Sequence, residues 1–298
     1  SGGLHGVGAS VVNALSRWLK VTIKRDGKVY QQGYKRGKST GKLEEVSTCR
    51  KNDTGTSVTF FPDDEIFEKT YFKAESIKSR LHETAYLNPN LTITFENKRV
   101  GEEETVVYHE EEGIISYVKA LNKDKEAVLD VVYFKRVVDG IEVEVAFQFT
   151  TDFQENIVGF CNNICTQEGG SHITGFKAKF TTVINQYARE LGILKEKDAN
   201  FTGADVRNGM TAIIALKHPA PRFEGQTKTK LDNQDANKVT SEVTGEELVL
   251  YFDKNLDNLK AVINCAEKSA KIRKAEEKVK TNLLTKQKFS IDSNGKLA

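Results

Sequence analysis

The chain has 298 residues, of which 38% are hydrophobic and 29% charged. This is a soluble globular composition, with apolar content for real cores and length for two ordinary domains. No stretch approaches 18 consecutive apolar residues, which excludes a membrane-spanning helix. The 44 basic and 42 acidic residues leave a formal charge of +2, which excludes a nucleic-acid footprint spread over the whole surface; any DNA contact has to come from a local patch. Ser1 runs straight into glycines with no basic or apolar leader, so no signal peptide is read and an internal piece of a longer protein is expected. Cys49, Cys161, Cys165 and Cys265 are scattered, as in a reducing cytoplasm. Cys161-x-x-x-Cys165 without a second cluster is a poor zinc signature, and no metal site is expected in the chain.

In chain order, Val11, Val12, Leu15 and Trp18 recur at helical spacing and predict a helix over residues 8–17. Leu19, Val21 and Ile23 alternate as a strand, Asp26-Gly27 is a hairpin signal, and Val29-Tyr30 begins the return strand. Residues 35–55 are polar and read as turn and loop. Val58, Phe60 and Phe61 form a strand closed by Pro62, and Ile77, Leu81 and Ala85 predict a helix over 73–87, ended by Asn88-Pro89-Asn90. Leu91, Ile93 and Phe95 alternate as the next strand, and this mixed sheet with covering helices finishes near Gly113.

A second part begins with a short helix around Ile114, Val118 and Leu121. Val128 to Phe134 and Ile141 to Phe149 read as long strands joined at Asp139-Gly140. The strict alternation from Ile141 to Phe149 predicts one buried and one wet face. Ile173, Phe176, Phe180, Val183, Ile184, Tyr187 and Leu191 form the apolar stripe of a helix that follows Gly169-Gly170. Met210 to Leu216 is an apolar run suited to a strand covered on both faces, residues 256–280 read as a long helix, and Gln287 to Ala298 as loop.

Three segments carry candidate chemistry. Gly2-Gly3-Leu4-His5-Gly6-Val7-Gly8 opens a helix. Glycines admit positive φ and bring backbone N–H groups close to a ligand, and a helix start adds unpaired donors and partial positive charge. Together these suit phosphate, although such entries often only make a turn. Glu224-Gly225-Gln226-Thr227-Lys228-Thr229-Lys230 follows Pro219 and Pro221. Gln226 and Lys228 point the same way if the loop is extended, and a lysine is a compact charge for a phosphate oxygen; the alternative is a solvated polar loop. Glu168-Gly169-Gly170-Ser171-His172 is read as a tight turn with Ser171 capping the next helix, in preference to a catalytic His172.

These segments occur in a recognisable order. Gly3-x-His5-Gly6-x-Gly8 resembles the ATP-lid motif of the GHKL ATPases, and the fuller string Ser1 to Ser16 resembles B subunits of bacterial type IIA DNA topoisomerases. So do Phe153 to Asn156, Asn162-Asn163-Ile164, Glu168 to Phe176, Asp205-Val206-Arg207, Phe223 to Leu231 and the closing Gly295-Lys296-Leu297-Ala298. The resemblance covers the whole chain.

What the resemblance implies is an α+β chain. Residues 1–112 would form the later half of a GHKL ATPase domain, 113–283 a transducer domain with a left-handed βαβ crossover, and 284–298 a linker toward a Toprim domain. Gly3, Leu4, His5, Gly6, Val7 and Gly8 would wrap the ATP triphosphate, and Thr56 would lie near the adenine. Gln226 and Lys228 would reach the γ-phosphate, with Lys228 sensing ATP against ADP and stabilising charge on the transferring group. The general base, the Mg2+ ligand and the adenine-binding Asp of the family precede the lid motif, so the chain alone is expected not to turn over ATP. Lys177, Lys179 and Arg189 are candidate DNA contacts, against the plainer reading of a solvated helix face. The implied partners are DNA, the enzyme's A chain in an A2B2 heterotetramer, and a second B chain joined on ATP binding, in the cytoplasm and without a membrane. Of the two bacterial branches, family abundance favours gyrase over topoisomerase IV. A GHKL chaperone or mismatch-repair clamp is opposed by the Gln226 to Lys230 string, and a pure DNA-binding module by the near-zero charge. Residues 232–240 are longer than the family pattern and expected as a surface loop, and Cys165, Asn208 and Met210 also depart from it.

Overall fold

The computed structural model describes residues 6–294, with side chains through residue 285, and the chain divides into two compact units between Ser79 and Arg80. The first unit holds α1 (Gly8–Ala14), β1 (Ser16–Arg25), β2 (Lys28–Lys35), β3 (Lys38–Ser39), β4 (Glu44–Thr48) and β5 (Gly55–Pro62). β1 lies between β2 and β5, antiparallel to both, while β3 and β4 pair with β2. Asp26 and Gly27 take φ of 54° and 80°, the paired left-handed conformation that a two-residue hairpin needs.

The helix expected over 8–17 stops at Ala14. Ser16 and Trp18 instead enter β1 through a bulge against β5. Trp18 stacks on Phe61 across the pair, with ring centroids 6.5 Å apart, and such cross-strand aromatic pairs outweigh the weak helical spacing of one Trp. The segment expected as loop, residues 35–55, contributes β3 and β4. Their pairing with β2 is made by backbone, and Lys28 and Glu45 close one pair at 2.8 Å; polar edge strands of this kind leave no hydrophobic period to read.

α2 (Ala74–Leu87) runs across the division. The second unit continues with the hairpin β6 (Ile93–Asn97) and β7 (Glu104–Tyr108), α3 (Ile114–Leu121), β8 (Val132–Val138), β9 (Ile141–Phe149), β10 (Asn156–Cys161) and β11 (Ile164–Cys165). Then come α4 (Ser171–Glu190), α5 (Gly203–Val206), β12 (Met210–Lys217), α6 (Gln234–Lys254) and α7 (Leu256–Asn294). The main sheet has the order β11-β10-β12-β9-β8, and β10 and β12 are parallel neighbours connected through α4, a βαβ crossover in an otherwise antiparallel sheet.

One face of this sheet meets α4. Phe176, Phe180 and Ile184 bury against Val145, Phe147, Ala212 and Ile214, with Val243 and Phe252 of α6 and Val262 of α7 behind them. Burying each such phenylalanine contributes roughly 2–3 kcal/mol. The other face is not wet, as the alternation in β9 had predicted. Leu87, Ile114 and Val118 cover Ala146, Phe160 and Ile213 there. The polar residues of β9 on that side are accommodated by hydrogen bonds. Glu144 accepts from the Tyr133 hydroxyl at 3.0 Å, and Gln148 bridges Asn122 and the Leu129 carbonyl. Alternation was misleading because paired polar side chains can be buried.

Three further boundaries differ from expectation. β8 begins at Val132 rather than Val128. Residues 232–240 are not a surface loop: they open α6, which buries Ala236, Val239 and Thr240. α7 continues to Asn294, through residues expected as loop. The first half of α7 buries one face, Leu259, Val262, Ile263, Ala266 and Ala270, and residues 274–285 are exposed. Among the described residues no helix is long and apolar enough to cross a membrane.

Candidate functional site

Gly3, Leu4 and His5 lie outside the described residues. Gly6 has φ of +65°, Val7 is the N-cap of α1, and Gly8 is its first residue. No side chain caps this end and no acidic residue sits in its first turn, so backbone N–H groups are left for an anion. Ala9, Ser10, Val12 and Asn13 of α1 face Leu19, Val21, Tyr34, Val58 and Phe60 across a cavity of about 540 Å³. Thr56 pairs with Ile23 one step further along the same sheet face, since Val58 pairs with Val21. The first unit therefore sets α1, a cavity and Thr56 on one side of its sheet.

In the second unit the structure brings the other two motifs together. The segment after β12 leaves as a loop whose strands meet at Phe223 and Leu231. The Glu224 N–H donates to the Lys230 carbonyl at 2.9 Å, and Lys230 pairs with Glu224 at 3.1 Å. The loop is docked along the double-glycine segment. Glu168 N–H donates to Thr229 O at 2.9 Å, Ser171 N–H to Leu231 O at 2.9 Å, and Leu231 N–H to Gly169 O at 3.3 Å. Gly170, at φ +140°, makes this possible, because a Cβ there would stand 2.5 Å from Leu231 N and 2.6 Å from Leu231 O.

The tip of the loop is free. Gly225 has φ of +74° and Lys228 of +57°, so the tip is turned rather than extended, and the expected common direction of Gln226 and Lys228 does not follow from alternation. Among the described residues neither side chain makes a hydrogen bond or ion pair. A lysine in the left-handed region costs about 1–3 kcal/mol.

Ser171 does not cap α4. It is the first helical residue, Gly170 is the N-cap, and no side chain caps that end. The end is occupied by the loop instead, through Leu231 O. His172 is fully buried, within 3.3 Å of the Thr166 hydroxyl, and burial pushes its pKa down to about 4. It is a neutral core residue. Cys161 lies in the core, where burial pushes its thiol up to about 12.

Of the three basic residues proposed for DNA, Lys177 and Arg189 are engaged within the chain. Lys177 pairs with Glu155, which also receives Arg207 at 2.9 Å. The Lys179 stem lies against Gly245 of α6. Arg189 binds the Lys195 carbonyl at 3.0 Å, the Asp198 carbonyl at 2.9 Å and Asn200 Oδ1 at 2.6 Å.

The residues that hold the stem of the loop were not singled out from sequence. His218, Asn233 and Asp235 surround it. The only signal was a histidine between a buried apolar run and Pro219, and the pairing it makes is long-range.

Over residues 113–282, more than half of its length, the chain matches a family model described as DNA gyrase B. It is 45% identical over 303 residues to the DNA gyrase B protein of Streptococcus pneumoniae, covering 100% of this chain and 46% of that protein. It is 44% identical over 280 residues to the DNA topoisomerase 4 B protein of Enterococcus faecalis, covering 93% of this chain and 40% of that protein. It is also similar to the crystal structure of the 43K ATPase domain of Thermus thermophilus gyrase B in complex with an aminocoumarin, with a TM-score of 0.79, 36% identity, and coverage of 93% of this chain and 74% of that one. The chain thus spans less than half the length of these curated relatives.

Proposed function

This chain belongs to the DNA gyrase B family, and we propose that in its parent protein it carries part of the ATP-operated clamp of a type IIA DNA topoisomerase. ATP binding and hydrolysis would be coupled there to passage of one duplex through a double-strand break, changing supercoiling. We assign residues 1–112 to the ATPase domain, 113–283 to the transducer and 284–298 to a linker toward a Toprim domain. The partners of the whole protein would be DNA, the enzyme's A chain and a second B chain that joins on ATP binding, in the cytoplasm. The similarity to topoisomerase 4 B proteins supports decatenation as the second reading.

The observation that carries the proposal is the braced loop with a free, left-handed Lys228 at its tip. ATP is the substrate. Backbone N–H groups of the Gly3 to Gly8 turn would hold its phosphates, Thr56 would lie near the adenine, and Gln226 with Lys228 would meet the γ-phosphate. The lysine charge counts most where negative charge shifts in the transition state. Mg2+ accompanies ATP in the family, and its protein ligand would come from outside this chain. For DNA, Lys177 and Lys179 remain the candidate contacts on α4, together with Arg189.

The test is Lys228→Ala in the complete protein, with nucleotide Kd and kcat measured separately. Loss of a charged donor to the transferring group is expected to cost about 3 kcal/mol in turnover, roughly a hundredfold, with Kd little changed. Gln226→Ala should act in the same direction and less, since a neutral donor is weaker. Collapse of affinity with kcat preserved would make Lys228 an ordinary binding residue and overturn the proposal.

A further inference from the structure

The loop that carries Lys228 has two feet, and a cluster away from its tip locks both. Asn162 stands in the β10–β11 turn with φ of 49°, followed by Asn163 at 65°. Its carboxamide imitates a strand: Nδ2 donates to His218 O at 2.9 Å and Oδ1 accepts from His218 N–H at 2.8 Å. The Asn162 N–H donates to Leu216 O at 2.8 Å. β12 is thereby held one residue beyond its end, where the chain leaves for the loop.

His218 is 5% exposed and uses both ring nitrogens. Nδ1 accepts from Ala220 N–H at 3.0 Å, and Nε2 lies 3.1 Å from Asp235 Oδ2. The bond from Ala220 fixes Nδ1 as the unprotonated nitrogen and so places the proton on Nε2, facing the carboxylate. The second foot is tied to the first. Asn233 Nδ2 donates to Ala220 O at 3.2 Å, its Oδ1 accepts from Arg222 N–H at 2.6 Å, and Arg222 and Asp232 exchange backbone and side-chain bonds. On its far side the β10–β11 turn is itself anchored, because Arg80 of α2 donates to the Asn163 carbonyl at 2.8 Å.

We propose that Asn162 and His218 are positioning residues for Lys228: they clamp the stem of the 219–231 loop so that the lysine at its tip is presented at one place. This rests on the role given to Lys228 above. None of the clamp residues is assigned a contact with nucleotide, and the two features it connects, the turn and the loop stem, are far apart in sequence. A free stem would let the tip wander, and misplacement of a catalytic charge by about 1 Å can cost a hundredfold in rate.

Two arms test the clamp. In this chain, His218→Ala and Asn162→Ala should each raise tryptic cleavage after Arg222, Lys228 and Lys230 at least fivefold, with cleavage after Arg136 and Lys195 unchanged and the far-UV spectrum retained. Unchanged cleavage at the loop, or a rise spread evenly over all sites, overturns the proposal. In the complete protein, His218→Ala should lower kcat about tenfold with nucleotide Kd within twofold, and should cost nothing further in the Lys228→Ala background, since coupled residues are non-additive. His218→Asn, whose Oδ1 can stand where Nδ1 accepts from Ala220, should recover most of the rate. An additive loss in the double variant overturns the positioning role. If Lys228→Ala itself leaves turnover intact, the functional reading falls, and the cleavage arm still decides the clamp.

Discussion

Gly170→Ala is the single change that should best expose how the loop is held. At φ +140° an alanine is strained by about 1–3 kcal/mol. Its Cβ would also stand 2.5 Å from Leu231 N, 2.6 Å from Leu231 O and 2.8 Å from Leu231 Cβ. Two of these are backbone atoms, so the loop has to move away as a piece. Moving it breaks the bonds from Ser171 N–H to Leu231 O and from Leu231 N–H to Gly169 O, each worth about 1 kcal/mol. The total is about 3–5 kcal/mol. For a unit of this size, about 2–4 °C is lost per kcal/mol, so the melting temperature of the second unit should fall by roughly 10 °C. Gly169→Ala is the control: Gly169 has φ of +79° but nothing within 4 Å of its would-be Cβ, so only the left-handed strain of about 1–2 kcal/mol applies. Thermal melts of both variants followed by circular dichroism decide the matter. Equal melting temperatures for the two variants would refute the argument from close approach.

His172 should make the second unit lose stability as pH falls. Its folded pKa lies below the usual 6.5 at about 4, so the unfolded chain binds the extra proton across that window and up to about 3 kcal/mol is lost between pH 6.5 and 4; urea titrations of His172→Leu should show a flatter profile there. Asp205 acts in a lower window. Its own burial works to raise its pKa, but the Arg273 hydrogen bonds and the Thr202 donors outweigh this and hold it below the usual carboxylate range. Its stabilisation is present above about pH 3.9 and is lost as pH falls through the depressed value. Asp205→Asn should cost about 2–3 kcal/mol by chemical denaturation, under the 3–5 of a fully buried pair because Arg273 keeps 34% of its side chain in water. Arg189→Glu should loosen residues 195–200 before anything else, seen as faster amide exchange confined to that segment; any change in DNA coupling without that exchange signature would point to a direct contact.

Helices and strands with a long apolar period were legible. The stripe from Ile173 to Tyr187 is α4, the run from Met210 to Leu216 is β12, and Asp26-Gly27 is a hairpin. Among the elements that were missed, β3, β4, β7 and the whole of α6 have polar or mixed surfaces, while β10, β11 and α5 are too short, at six, two and four residues, to show a period. α6 is covered by α4 on one side and carries buried Thr240 and Thr244 among its apolar contacts, so its inward face does not look apolar in sequence. The candidate site was legible in part. The glycines, Gln226 and Lys228 stood out by motif. Asn162 stood in a family-like segment, but the clamp did not show, because the Asn162 carboxamide meets the backbone of His218, 56 residues away, and no local pattern records such a pairing.

The last helix has a mechanical consequence. α7 is packed as far as Ala270, and its backbone continues as helix to Asn294. At 1.5 Å per residue the part beyond Ala270 that is described as exposed, as far as Thr285, is about 22 Å long. It is a cantilever whose fulcrum is the packed end, next to the Arg273–Asp205 pair at 2.9 Å. A tilt of about 10° at the fulcrum would carry the end of that exposed part roughly 4 Å, given the rise per residue. A small tilt at the packed end of α7 would therefore be magnified along its exposed part, and the Arg273–Asp205 pair stands where such a tilt would begin.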